Sequence, residues 1–200
     1  MSRVPRAELA TLGFTYFTVG VTVAVTLADR GVPGPLLVTS AVIVHSATSI
    51  LAFVAVSDAG GATLAGLLSG WLVASRFGVL AATLGTRLEA SLPERVVAAL
   101  NAFDPNVAMA TVQGAPQGVR TVFWRSTGAM VGGWYLGIAT GAVLGNILGD
   151  TSRFGLDVVF PAALLAIIGP AMRRGDAMVA GLAGAGITIA LSPRCLPGFR

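Results

Sequence analysis

Arg76 stands in the middle of GWLVASRFGVLAATLG, residues 70–85, a stretch otherwise free of charge. An arginine near the centre of a bilayer costs at least roughly 2.5 to 3.5 kcal/mol on insertion scales, so its guanidinium should face a cavity or a carboxylate. It then completes a structural ion pair or snorkels to the interface, or it binds a carboxylate belonging to a substrate or to a titrating aspartate. Asp157, in LDVVFPAALLAIIGPAM, is the strongest candidate partner in the sequence. Four residues before Pro161, it is either a helix cap or a proton-carrying carboxylate poised between desolvation and a neighbouring arginine. Asp104, in AFDPN, has the context of a turn residue and is a second carboxylate for the same work. His45 is the only histidine. One histidine makes no metal site, so it is either a satisfied interior ring or a pore-lining proton relay suited to neutral pH. Ser46 and Ser49 follow it, as ligand contacts or as hydroxyls bonded back to their own helix.

The elements that must position these residues are set by composition. Of 200 residues, 54% are hydrophobic and 11% charged, and the mean hydropathy is +0.81. Soluble domains carry about 25% charged residues. With about 20 apolar residues to a span, the length accommodates five to seven membrane segments. The expected fold is therefore all-α, a polytopic transmembrane bundle forming a single integral membrane domain over 1–200. The 13 basic residues are all arginine, and without a basic run or aromatic-basic patch they suit lipid headgroups rather than nucleic acid. The single cysteine, Cys195, excludes an intrachain disulfide or a cysteine metal cluster. No GxxxxGK, HExxH or GxSxG motif is present, so no enzyme chemistry and no bound cofactor is expected.

Segment one runs from Leu9 to Ala28 and is long enough to span as an uncleaved first helix. Segment two, residues 35–56, is equally long but carries Thr39, Ser40, His45, Ser46, Thr48 and Ser49 inside it. Segment three runs from Ala62 to Leu84 and holds Arg76. Pro93 then opens a short helix whose Val96, Val97, Leu100 and Phe103 share a face, expected to lie on the membrane surface. In segment four, from Val119 to Gly149, Gly133, Gly137, Gly141, Gly145 and Gly149 recur at every fourth position, a side-chain-free strip for close helix packing. Segments five and six, from Leu156 and from Ala177, are short.

Arginine placement tests the topology. If segment two crosses fully, Arg87, Arg95, Arg120, Arg125, Arg173 and Arg174 all fall outside, against the positive-inside rule. If it enters and leaves on one side as a broken hairpin, these six join Arg3 and Arg6 inside. The polar interior of the segment agrees, because non-helical backbone at membrane depth requires surrounding protein or water. At least one broken or re-entrant segment is therefore expected.

In this order the features resemble the AzlC-type large subunit of branched-chain amino acid exporters, the azaleucine-resistance family, over roughly Leu9 to Leu191. GLDVVFPAALLAII from Gly155 is similar to the family's GLDFALPAxFLALL, placing Asp157 and Pro161 on matching positions. WYLGIATGAVLG within segment four also resembles it. WLVASRFGVLAA resembles LLVNLRHLLYG, with Arg76 on the family's arginine but Ala74 and Phe77 in place of asparagine and histidine. Ser49 stands where FAGSAQF has glutamine, and Asp104 keeps the aspartate of a DExF motif with Pro105 in place of its glutamate.

The resemblance implies a bacterial inner-membrane exporter of leucine, isoleucine, valine and methionine, coupled to protons and assembled with a small hydrophobic AzlD-type subunit. It would place Arg76 or a half-helix N-terminus on the substrate carboxylate, and Asp157 or Asp104 on the ammonium or the proton. The four substituted positions favour, as an alternative, a transporter or channel for another small solute. A non-transporting scaffold or sensor, with Arg76 in a structural pair, is the reading from a different class.

Overall fold

The computed structural model describes residues 4–148 and, beyond them, 175, 178–179, 181–184 and 186–187. The chain divides into two compact units, Met1–Asp157 and Val158–Arg200. The described residues of the second are helical; the first contains every element named below.

Among the described residues three helices are long and apolar enough to cross a membrane: Arg6–Asp29, Thr63–Gly85 and Pro116–Gly145. The first is α1, Arg6–Asp29. It ends where Gly31 takes a left-handed backbone with φ 77°. There the Gly31 N–H donates to the Ala28 carbonyl and the Val32 N–H to that of Leu27, at 2.9 and 3.1 Å, which closes the free carbonyls of the last turn.

The glycines of segment four lie in a long helix whose partner is α1. Gly133 packs on the Gly13 carbonyl, Gly137 on that of Phe17, Gly141 on Val21 and Gly145 on Ala28. A Cβ at Gly141 would stand 2.6 Å from the Val21 carbonyl oxygen, and one at Gly20 2.7 Å from that of Trp134. Residue numbers climb together along both helices, so they run parallel.

Segment two is two helices, α2 (Gly34–Ile43) and α3 (Ala47–Asp58). Val44 and Ser46 between them have extended backbone. α2 packs on the long helix, where the Trp134 indole N–H donates to the Ala41 carbonyl at 3.3 Å. Arg30, just after α1, meets Asp58, the last residue of α3, at 2.7 Å. Residues 34–58 therefore leave the C-terminal end of α1 and come back to it.

Segment three, expected from Ala62 to Leu84, is the Thr63–Gly85 span, with a turn at Ser75 that divides it into α4 (Thr63–Ala74) and α5 (Arg76–Gly85). The Ser75 hydroxyl donates to the Leu72 carbonyl at 2.6 Å, and the Gly78 N–H reaches only three residues back, to Ser75, at 3.0 Å. Such side-chain competition and a tightened turn interrupt the regular four-residue ladder. α4 packs against α3 through Gly66 and Gly70, where Cβ atoms would meet the Phe53 ring at 2.9 Å and the Ser49 carbonyl at 3.0 Å.

α6 (Leu92–Leu100) and α7 (Asp104–Thr111) follow, then the long α8 (Pro116–Leu148). The expected apolar face of the Pro93 helix is correct for Val96, Val97 and Leu100, which are 53%, 48% and 74% exposed, but not for Phe103, which is buried. Phe103 lies past the end of α6, where the backbone is extended. The chain turns there and returns along α5 and α8, so that Arg87, just past α5, donates to the Thr111 carbonyl at 3.4 Å.

Two apolar cores result. One joins Val23, Ala24 and Leu27 of α1 to Leu37 and Ala41 of α2 and Trp134, Ile138 and Ala142 of α8. The other joins Leu84 and Leu88 to Ala98, Val107 and Ala110 and to Val119, Val122 and Phe123 at the start of α8.

Candidate functional site

The breaks in these helices converge on Arg76. Its guanidinium donates to the Thr48 hydroxyl, in the first turn of α3, at 3.2 Å. It stands 3.7 Å from the carboxylate of Asp104, the first residue of α7. Two helices thus begin beside one guanidinium, and their unsatisfied N–H groups carry partial positive charge. The combination favours an anion. Asp104 supplies one, but 3.7 Å is beyond hydrogen-bond length, so charge alone holds the contact. Both side chains are at least half exposed, so the pair is open to a ligand from one side. The cation also lies over the Phe77 ring, 4.9 Å from its centroid, and Phe77 meets Phe103 edge-to-face at 5.6 Å.

The serines have a different role. The Ser46 hydroxyl accepts from the Ser49 N–H at 3.2 Å and from the Ser49 hydroxyl at 2.9 Å, and lies 3.1 Å from that of Thr48. Ser46 is the N-cap of α3. It aligns Thr48, and it is Thr48 that touches the arginine. His45, in the break, hydrogen-bonds the Tyr135 hydroxyl on α8, with the rings edge-to-face at 5.3 Å. This ties the tip of the α2–α3 hairpin to α8.

A matching device holds the other tip. Asn106 is fully buried. Its amide oxygen accepts from the Phe103 N–H at 2.8 Å, and its amide nitrogen donates to the Asn101 carbonyl at 2.7 Å and to the Thr127 hydroxyl at 2.9 Å. One side chain satisfies both sides of the break and anchors it to α8. Between the tips lies a narrow crevice lined by Tyr16, His45, Phe103, Met130, Val131 and Trp134.

Of the residues singled out in the sequence, Arg76, Asp104, His45, Ser46 and Ser49 come together around these breaks, while Gly133, Gly137, Gly141 and Gly145 form the α1–α8 seam. Asp157 lies outside the described residues. Among those described, the carboxylate beside Arg76 is Asp104. Sequence reasoning missed Tyr16, Tyr135 and Asn106 and noted Thr48 only as one of the hydroxyls inside segment two. Asn106 left a signal too, a second polar group directly after Asp104-Pro105. Among the described residues no group of three or more histidine, cysteine or acidic side chains could hold a metal.

Residues 11–148 match the family described as AzlC protein. No curated protein and no solved structure matches the chain.

Proposed function

We propose, from the premise that this chain belongs to the AzlC family of non-catalytic membrane transport proteins, that it is the large subunit of a proton-coupled exporter of branched-chain amino acids and methionine. The observation that carries this reading is Arg76 set between the first turns of α3 and α7 with Asp104 beside it. An α-amino acid presents a carboxylate and an ammonium on one carbon. A guanidinium flanked by helix N-termini suits the first, and a loosely held carboxylate suits the second. As the ligand enters, Asp104 exchanges its contact with Arg76 for one with the ammonium, and the guanidinium turns to the carboxylate.

The topology follows the same logic. Arg6, Arg87, Arg95, Arg120 and Arg125 belong to the end at which α1 begins, and Arg30 to the other. The positive-inside rule puts the first end in the cytoplasm of a bacterial inner membrane. α2–α3 then re-enters from outside and α6–α7 from inside, both reaching the depth of Arg76. Broken helices meeting at mid-depth are how secondary transporters build binding sites. The seam of Gly133, Gly137, Gly141 and Gly145 serves as the fixed frame. The small hydrophobic AzlD-type partner is supported by the outer face of α4, where Leu64, Leu67, Trp71 and Leu72 are 58% to 75% exposed.

Uptake of labelled leucine, isoleucine, valine and methionine into inside-out vesicles tests the reading, since export in the cell becomes uptake there. Saturable uptake is expected, dependent on the proton gradient and on co-expression of the small subunit. Arg76→Lys should assemble normally and lose at least tenfold in flux, because a point charge cannot make the planar two-point contact. Flux of none of the four from an assembled complex would refute the substrate. Undiminished flux in Arg76→Lys would refute the role of Arg76.

A further inference from the structure

At the end of the molecule where α5 stops and α8 starts, a cleft of about 360 Å³ opens between Gly85–Ala90, Arg95, Gln113–Pro116 and Val119. Arg87 and Arg95 both line it, and neither has a carboxylate partner among the described residues. Among the described residues Arg87 donates only to the Thr111 carbonyl at 3.4 Å, and Arg95 only to the Gly85 carbonyl at 3.3 Å. A guanidinium has five N–H groups, so most of the donors of both remain for a ligand. Glu89 also lines the cleft but bonds to neither arginine. Glu94, the next acid along the chain, is occupied by Arg120 and Trp124. The cleft therefore sets two guanidinium groups against one carboxylate and carries a net positive charge.

Arg95 belongs to α6, and α6 carries a second feature. Leu92, Val96 and Leu100 recur at every fourth position along one face and are 75%, 53% and 74% exposed. A strip of aliphatic side chains thus runs beside a cleft lined by two guanidinium groups. A free anion has no use for the strip, and a zwitterionic lipid gains little from the cleft.

We propose that this cleft binds the phosphate of an anionic phospholipid of the cytoplasmic leaflet, with its acyl chains along the Leu92–Val96–Leu100 face of α6. Basic pockets between transmembrane helices on the cytoplasmic side hold such headgroups. The site rests on the membrane topology proposed above and is independent of which solute the protein moves.

The test is lipid retention by the intact, detergent-purified protein, measured by native mass spectrometry and by the shift in melting temperature on adding lipid. Phosphatidylglycerol, phosphatidylcholine and inorganic phosphate are the three probes. Phosphatidylglycerol should bind and stabilise, and the other two should do neither at equal concentration. Arg87→Gln/Arg95→Gln should weaken phosphatidylglycerol binding roughly thirty-fold, from about 1 kcal/mol per arginine near a charged headgroup. Arg6→Gln/Arg125→Gln, which removes the same charge from the same end, should leave binding within about twofold. Leu100→Ser, on the exposed face, should weaken lipid binding without altering the monodispersity of the protein. Equal losses in the two arginine pairs would reduce the effect to diffuse attraction and overturn the site. Binding of inorganic phosphate as tight as that of the lipid would overturn the lipid in favour of a free anion.

Discussion

The two hairpins reach the same arginine from opposite ends of the molecule, but their tips are held by different means. The tip of α2–α3 is fixed by hydroxyls and a ring: Ser46 caps α3, and His45 reaches Tyr135. These are separate bonds, and each can be lost without the other. At the tip of α6–α7 a single buried amide, Asn106, bonds the Phe103 N–H, the Asn101 carbonyl and Thr127. Removing it undoes the whole turn. Distributed holding permits a tip to shift in steps, whereas a single buried hub keeps it in one arrangement. If α2–α3, with Thr48, is the half that moves and α6–α7, with Asp104, the half that stays fixed, variants at the two tips should differ as follows.

The largest effect should come from that hub. Asn106→Ala leaves the Phe103 N–H, the Asn101 carbonyl and the Thr127 hydroxyl without their partner in a buried setting. Each unsatisfied buried group costs roughly 1 to 3 kcal/mol, so a loss of about 3 kcal/mol is expected, read as a drop in detergent melting temperature. A loss for Asn106→Ala no larger than that of a single cap would break the comparison, because the α6–α7 tip would then be held elsewhere.

Ser46→Ala should be milder. Loss of an N-cap costs about 1 kcal/mol, and the His45–Tyr135 bond survives it. Its sharper consequence is on position: with the α3 cap gone, Thr48 is no longer aligned on Arg76. Flux should therefore fall by more than stability does. Parallel melting and vesicle uptake on the same variant check this, and a loss of stability with unchanged flux would remove Thr48 from the site.

The same contrast explains what the sequence could and could not reveal. The α2–α3 break was legible because histidine and hydroxyls inside an apolar run are costly in lipid and require a reason. The α6–α7 break was not. Val96, Val97, Leu100 and Phe103 have the spacing of a surface helix, and periodicity alone cannot say that the helix stops before Phe103 and sends it inward. The cue lay in Asn106, whose three bonds join residues up to 21 positions apart. Among the described residues the carboxylate beside Arg76 is Asp104, which the sequence offered as a second candidate in the context of a turn; Asp157 lies outside them. The glycine period predicted a packing face, but that α1 occupies it, and runs parallel to α8, required the structure.

The smallest effect concerns the open ends of the hairpins. Each is tied by an arginine and a carboxylate, Arg30 with Asp58 and Arg120 with Glu94, both at 2.7 Å. The Asp58 carboxyl is held below its usual range by the hydrogen bond from Arg30. Glu94 is held down by the bidentate bond from Arg120 and then by that from the Trp124 indole. A carboxyl depressed in the folded state contributes stability that is present above its unfolded pKa, about 4.3 for Glu and 3.9 for Asp. That contribution is lost as pH falls through the lower, folded value. Glu94→Gln should therefore melt below the parent at pH 7, with the gap closing as pH falls below about 4. Asp58→Asn should show the same sign with a smaller gap at pH 7, because among the described residues Arg30 is the one side chain that donates to its carboxylate, and the Asp58 side chain is 51% exposed against 18% for Glu94. Surface pairs contribute little where water competes for them. Equal gaps would show that the indole adds nothing, and the two open ends would then be tied alike although their tips are not.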